Sequence, residues 1–112
     1  MDFAVAFSEN VSNVDTTDFA LTPTGTASGN VASVSASSGT SITVTVDSIA
    51  GDGTLRLDLN SSATGIQDDV GNAISGGFTS GDEYTIDNTA PDVSSITRAD
   101  TSPTNASSVD FT

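Results

Sequence analysis

The chain has 112 residues and a formal charge of −13, from thirteen Asp, two Glu, Arg56 and Arg98; it contains no Lys, His, Cys or Trp. That length suits one domain with one core, and the acidity repels phosphate backbones, which excludes nucleic acid as a partner. Without His, Cys or Lys there is no Ser-His-Asp triad, no thiolate nucleophile, no Schiff base, no Lys–Asn crosslink and no zinc site with nitrogen or sulfur ligands.

Taken in chain order, the sequence predicts strands almost throughout and no helix. Asp2 to Ser8 alternates, with Phe3, Val5 and Phe7 on one face and Ala4 and Ala6 on the other. Phe19 and Leu21 form a short strand ending at Pro23. Asn30 to Ser37 holds Val31 and Val34 at a spacing that is not two, which predicts a bulge. Ser41 to Asp47 sets Ile42, Val44 and Val46 inward; Thr54 to Asn60 sets Leu55, Leu57 and Leu59 inward against Arg56 and Asp58. Glu83 to Asp87, Val93 to Arg98 and Ser108 to Thr112 complete the set. Short alternating runs punctuated by Gly39, Gly51-Asp52-Gly53, Gly71 and Gly76-Gly77 predict an antiparallel β-sandwich. The stretch Asp47 to Gly53 lacks the ligand spacing and final Glu of an EF-hand and reads as a hairpin turn. The hydroxyl row Ser41, Thr43, Thr45 reads as ordinary solvent-facing strand. Tyr84 reads as a core-edge aromatic whose hydroxyl is met by backbone, and Gly76-Gly77 as a flexible loop.

The opening Asp2-Phe3 recurs as Asp110-Phe111, a spacing of 108 residues from Phe3 to Phe111. That is about the length of one sandwich domain. The series Phe7-Ser8-Glu9-Asn10-Val11, Asp18-Phe19, Gly53-Thr54-Leu55, Asp69-Val70-Gly71-Asn72 and Tyr84-Thr85-Ile86-Asp87-Asn88-Thr89-Ala90-Pro91 resembles bacterial immunoglobulin-like repeats of large surface adhesins and other extracellular repeat proteins. The resemblance implies a sandwich of about seven strands, tandem copies, a secreted or cell-surface location and Ca²⁺ near domain junctions. Against that pattern the order is shifted, so that the first strand lies at the C-terminus. Residues 1–87 are then the body of one repeat (second to last strands), 88–92 an interdomain linker, and 93–112 the first strand and start of the second strand of the next repeat.

Geometry extends this reading. First and last strands of such a sandwich end at opposite poles, a crossing of about 30 Å that a linker of four or five residues cannot make at about 3.3–3.6 Å per residue. The C-terminal strand is therefore expected on a neighbouring copy, head to tail, by strand addition. A tail that folds back by a distorted route is the alternative.

The Asp excess reads three ways: solubility, adaptation to high salt, or Ca²⁺, a hard cation taking six to eight oxygens. For Ca²⁺ the strand order gathers the loop with Glu9, Asn10 and Asp15, the loop with Asp68, Asp69 and Asn72, and a preceding unit's linker with Asp87, Asn88 and Asp92. The ligands expected are Glu9, Asp68, Asp69, Asn72, Asp87 and Asp92. Asp68-Asp69 also reads as a solvated turn, Glu9 as a solvated strand tip, and Asp87 and Asp92 as flanks of a Pro turn. No enzyme is expected, because a carboxylate pair for glycoside cleavage would lack an aromatic-lined cleft. The functional expectation is a structural spacer or filament-forming repeat of an extracellular adhesive protein. A module that itself binds glycan, ice or protein is the alternative. Neither a membrane span nor a signal peptide is read within these residues, so an export signal is expected elsewhere in a longer protein.

Overall fold

Alternation of apolar and polar residues with period two gives each strand one face to bury, and two such sheets bury them against each other. The computed structural model describes residues 1–112. It is all-β, with β1 (Asp2–Ser12), β2 (Phe19–Pro23), β3 (Ser28–Val34), β4 (Gly39–Ala50), β5 (Gly53–Leu59), β6 (Gln67–Asp68) and β7 (Glu83–Ile86). One antiparallel sheet has the order β3-β4-β1-β6 and the other β2-β5-β7. Ile42, Val44 and Val11 from the first meet Phe19, Leu57 and Leu59 from the second, with Val14 and Ile66 closing the cluster. Ile42 and Val44 are wholly buried. A smaller cluster of Ala27, Leu55 and Ile86 lies toward the β4–β5 connection.

Several expectations need correction. The Asp47–Gly53 stretch is not a hairpin turn: β4 and β5 lie in different sheets, so Gly51-Asp52 carries the chain across the sandwich. The crossing is tight enough to demand glycine. Gly51 has φ +76°, and a Cβ there would sit 2.0 Å from the Thr26 carbonyl oxygen. Asp58 does not face solvent. It is 8 % exposed, because the Arg56 guanidinium lies over it with Nε 2.7 Å from Oδ1 and the Thr22 hydroxyl donates to Oδ2. Gly77 passes close to the Leu59 carbonyl, which a Cβ there would approach to 2.4 Å, and Phe78 exchanges two backbone hydrogen bonds with Leu59. A short 3₁₀ turn at Thr16–Asp18, capped by Asp15, interrupts the all-strand pattern. The bulge near Val31 is present as a register shift between Val31 and Ser33.

The last two predicted strands are not ladders. Residues 93–112 form only an antiparallel bridge between Arg98 and Phe111. Thr97 and Thr112 exchange both backbone hydrogen bonds, and the Ala99 N–H donates to the Asp110 carbonyl. A two-stranded pairing with no sheet to pack on does not extend. Every residue from Asp87 onward is exposed, and this tail gives the molecule extents of 86 × 21 × 20 Å with a radius of gyration of 24.0 Å. A compact chain of this length has about 13 Å.

Strand β1 is paired unevenly. It joins β4 on one side, but its other side meets a strand only at Val11 and Ser12, which face β6. From Asp2 to Asn10 that edge is open.

Ile42→Ala should lower unfolding free energy by about 2–5 kcal/mol, read from urea denaturation. Val70→Ala, at a side chain 83 % exposed, should change it by less than about 0.5 kcal/mol.

Candidate functional site

Three features carry chemistry: an acidic pole, a clamp on the tail, and a groove along the open edge of β1. The acidic pole begins with a bulge. Between Ala6, opposite Ser41, and Val11, opposite Gly39, β1 holds four residues where β4 holds one. The excess pushes Phe7 to Asn10 off the ladder and carries Glu9 and Asn10 toward the turn after β6. That turn is closed by Asp68. Its Oδ1 accepts from the Val70 and Asn72 N–H groups, and its Oδ2 from the Asn72 side-chain amide at 2.9 Å. Asn10 donates to Asp69 Oδ1 at 2.7 Å.

The two facing carboxyls respond differently. Glu9 is held above its usual range, first by sharing a hydrogen bond with Asp68, then by repulsion from Asp68, by desolvation and by Asp69. Asp68 is held below its usual range, chiefly by the Asn72 side chain and backbone donors. The N–H groups stabilise the charge on Asp68, and that charge together with Asp69 disfavours ionisation of Glu9.

The structure thus brings together Glu9, Asp68, Asp69 and Asn72, with Asn10. It does not bring Asp87 or Asp92 to them. Asp87 follows β7, whose Ile86 pairs with Gly53 at the opposite pole, and Asp92 is exposed in the tail. Asp15 is occupied elsewhere: it accepts from the Thr17 N–H, while its own N–H donates to Asp18. No three acidic side chains of the chain lie close enough to hold a metal ion. The oxygens suit a hard cation, but Glu9, Asp68, Asp69 and Asn72 are fewer than the six to eight ligands such an ion takes.

The clamp sits at the other pole and centres on Asp52, a residue that the sequence pattern places merely in a turn. Its Oδ1 accepts from the Asn88 N–H at 2.6 Å and its Oδ2 from the Thr89 hydroxyl at 2.7 Å. The Asn88 amide in turn donates to the Gly51 carbonyl. These bonds, led by Thr89, hold Asp52 below its usual range and fix the direction in which the tail leaves the body. A Gly-Asp-Gly turn carries no sequence signal for this; the partner Asn88 lies 36 residues away.

The groove has a volume of about 1180 Å³ and runs between β1 and the segment 74–84. Phe3 and Tyr84 meet edge to face at 5.0 Å in it, and the Tyr84 hydroxyl donates to the Asp2 carbonyl at 2.6 Å. Phe78 is 57 % exposed at its wall. No family model, curated protein or solved structure matches the chain.

These contacts set how the fold responds to pH and to substitution. The raised Glu9 group favours the folded state fully below its ordinary value of 4.5, and that contribution is lost as pH rises through the raised value. Glu9→Gln should therefore raise the melting temperature at pH 7, with the gain fading as pH falls through the raised value and gone below 4.5. Asp68→Asn should lower it at pH 7, and that loss should shrink as acid protonates the parent. Asp52→Ala should leave melting nearly unchanged but free residues 88–92, read as increased fast backbone motion by ¹⁵N relaxation.

Proposed function

We propose that the chain is a structural spacer: an immunoglobulin-like repeat of an extracellular, cell-surface adhesive protein whose copies act end to end. The observation that supports it best is polarity. An acidic pole lies at one end and an open sheet edge runs along the flank, while Asp52 fixes an exposed tail at the opposite pole. A module built to transmit position along an array needs two distinct ends in a defined orientation. No helix of the chain is long and apolar enough to cross a membrane.

Ca²⁺ belongs to this reading as a junction ion. Glu9, Asp68, Asp69 and Asn72 of one copy supply half a set of oxygen ligands, and Asp87 and Asp92 of its neighbour supply the rest. Without the ion those carboxylates repel one another, so the joint loosens.

A second reading draws on the groove. Exposed Phe78 and Tyr84 beside an apolar trough are what a glycan- or protein-binding adhesion module would present.

Saturating Ca²⁺ should release or absorb heat in calorimetry and raise the melting temperature by about 10 °C, as about 2–3 kcal/mol of linkage would in a chain of this size. The shift should grow with protein concentration, because ligands come from two copies, and Asp69→Ala should abolish it. No heat and no shift would end the Ca²⁺ role. A glycan array on which the monomer binds one sugar saturably would replace the spacer with the binding module.

A further inference from the structure

The tail displays a strand pairing that the body lacks. Thr97 and Ala99 are hydrogen-bonded to Thr112 and Asp110, with Arg98 opposite Phe111. Asp110-Phe111 repeats Asp2-Phe3, so Phe111 stands where Phe3 stands in β1. In β1 the same positions pair with no strand. Met1 and Val46 exchange both backbone hydrogen bonds. Hydrogen-bonded and non-bonded pairs alternate along an antiparallel ladder, so Phe3 and Val5 point their N–H and C=O toward β4 while Asp2, Ala4 and Ala6 point theirs away. The outward positions in β1 are thus the equivalents of those the tail uses, Asp110 and Thr112. The sole protein contact to these outward groups at Asp2 is the Tyr84 hydroxyl on its carbonyl.

We propose that the groove beside β1 receives residues 93–99 of a second copy as an added antiparallel strand, with Ala99 opposite Asp2, Arg98 opposite Phe3 and Thr97 opposite Ala4, these bonds replacing the donor tail's own Thr97–Thr112 and Ala99–Asp110 pairing. This deepens the spacer reading and rests on it for the head-to-tail sense. The side chains agree with the register. Arg98 and Ile96 share the face that Phe111 defines, so docking sets Ile96, 72 % exposed in the free tail, over Val5, and Arg98 over Phe3. Arg98 then enters a groove walled by Asp82 and Glu83. It is one of two cations in a chain of charge −13, and Arg56 is already paired with Asp58. A tail with the cation and a groove with the anions complement each other across copies. Continued along β1 without a slip, the register places Asp92 of the donor opposite Glu9, at the acidic pole.

The chain has no cysteine, so introduced thiols report alone. Ala4→Cys protein, carrying a mass tag, is mixed with Thr97→Cys protein at high concentration under mild oxidant, with and without Ca²⁺. The Cα separation of such a pair, about 5.5 Å, lies within disulfide reach. A mixed 4–97 disulfide is expected at least about tenfold above that from Ala6→Cys with Thr97→Cys, a pair two residues out of register; Ile96→Asp in the donor should remove it. Both cysteine sites are exposed, and melting curves check that the variants fold. Equal yields from both pairs, or no mixed disulfide together with a monomer by sedimentation at that concentration, overturns the proposal. A 4–97 link formed within one chain carrying both cysteines, at high dilution, also overturns it. The two readings fail separately: cross-linking in chelator supports the strand and ends only the ion, whereas a Ca²⁺-dependent melting shift without cross-linking keeps the spacer and removes this contact.

Discussion

A β-strand has two hydrogen-bonding edges, and in this protein β1 uses one of them for most of its length. The rest of the structure turns on that imbalance. Because β1 joins β4 on one side only, its inward residues Phe3, Val5 and Phe7 are half-buried rather than sealed, although they pack on the same cluster as the wholly buried Ile42 and Val44. The sandwich stays open along one flank, and the groove is the space an eighth strand would fill. Tyr84 is the one device that spans it, using its ring against Phe3 and its hydroxyl on the Asp2 carbonyl. Open edges invite pairing, and folded proteins usually cover or charge them. Here Asp2 and Glu9 supply charge, which discourages indiscriminate pairing yet still admits a strand that carries Arg.

The acidity is organised rather than uniform. At one pole Asp52 accepts from the Asn88 N–H and the Thr89 hydroxyl of the linker and is held charged. At the other, Asp68 takes the available donors and Glu9 is left facing its charge. The same residue chemistry therefore makes a fixed joint at one end and an unsatisfied one at the other. The difference arises from backbone geometry. Gly51 lets the chain pass close to Thr26 and presents Asp52 to Asn88, while the bulge at Phe7 to Asn10 throws Glu9 onto a carboxylate that is already engaged.

Much of the two-sheet body was legible in the sequence because period-two alternation is written directly in Ile42-Thr43-Val44-Thr45-Val46 and Leu55-Arg56-Leu57. Sheet membership was less so. Alternation says which face is buried but not which partner a strand takes, and so the crossing at Gly51-Asp52 looked like a hairpin. Asp58 was misplaced because alternation assigns it to the outer face without showing that Arg56 and Thr22 cover that face. Glu9 and Asp68-Asp69 could be put at one pole by strand direction alone. Asp52 could not be singled out, since its role depends on a contact with Asn88 that no local pattern encodes.

If the tail of one copy fills the groove of the next, the contact joins two different patches, and that decides its symmetry. Each association leaves one groove and one tail unused, so the contact is heterologous and closes only if the rotation between copies happens to bring the ends together. The rotation is set by how the tail leaves the body, which is the business of Asp52, Asn88 and Thr89. The clamp thus decides the pitch of an assembly whose affinity is decided elsewhere, by Ile96 and Arg98 in the groove. Loosening the clamp would leave each junction able to form while removing the fixed angle between successive units. Angle and affinity would then be set by separate residues, the first by the clamp and the second by the strand that follows it.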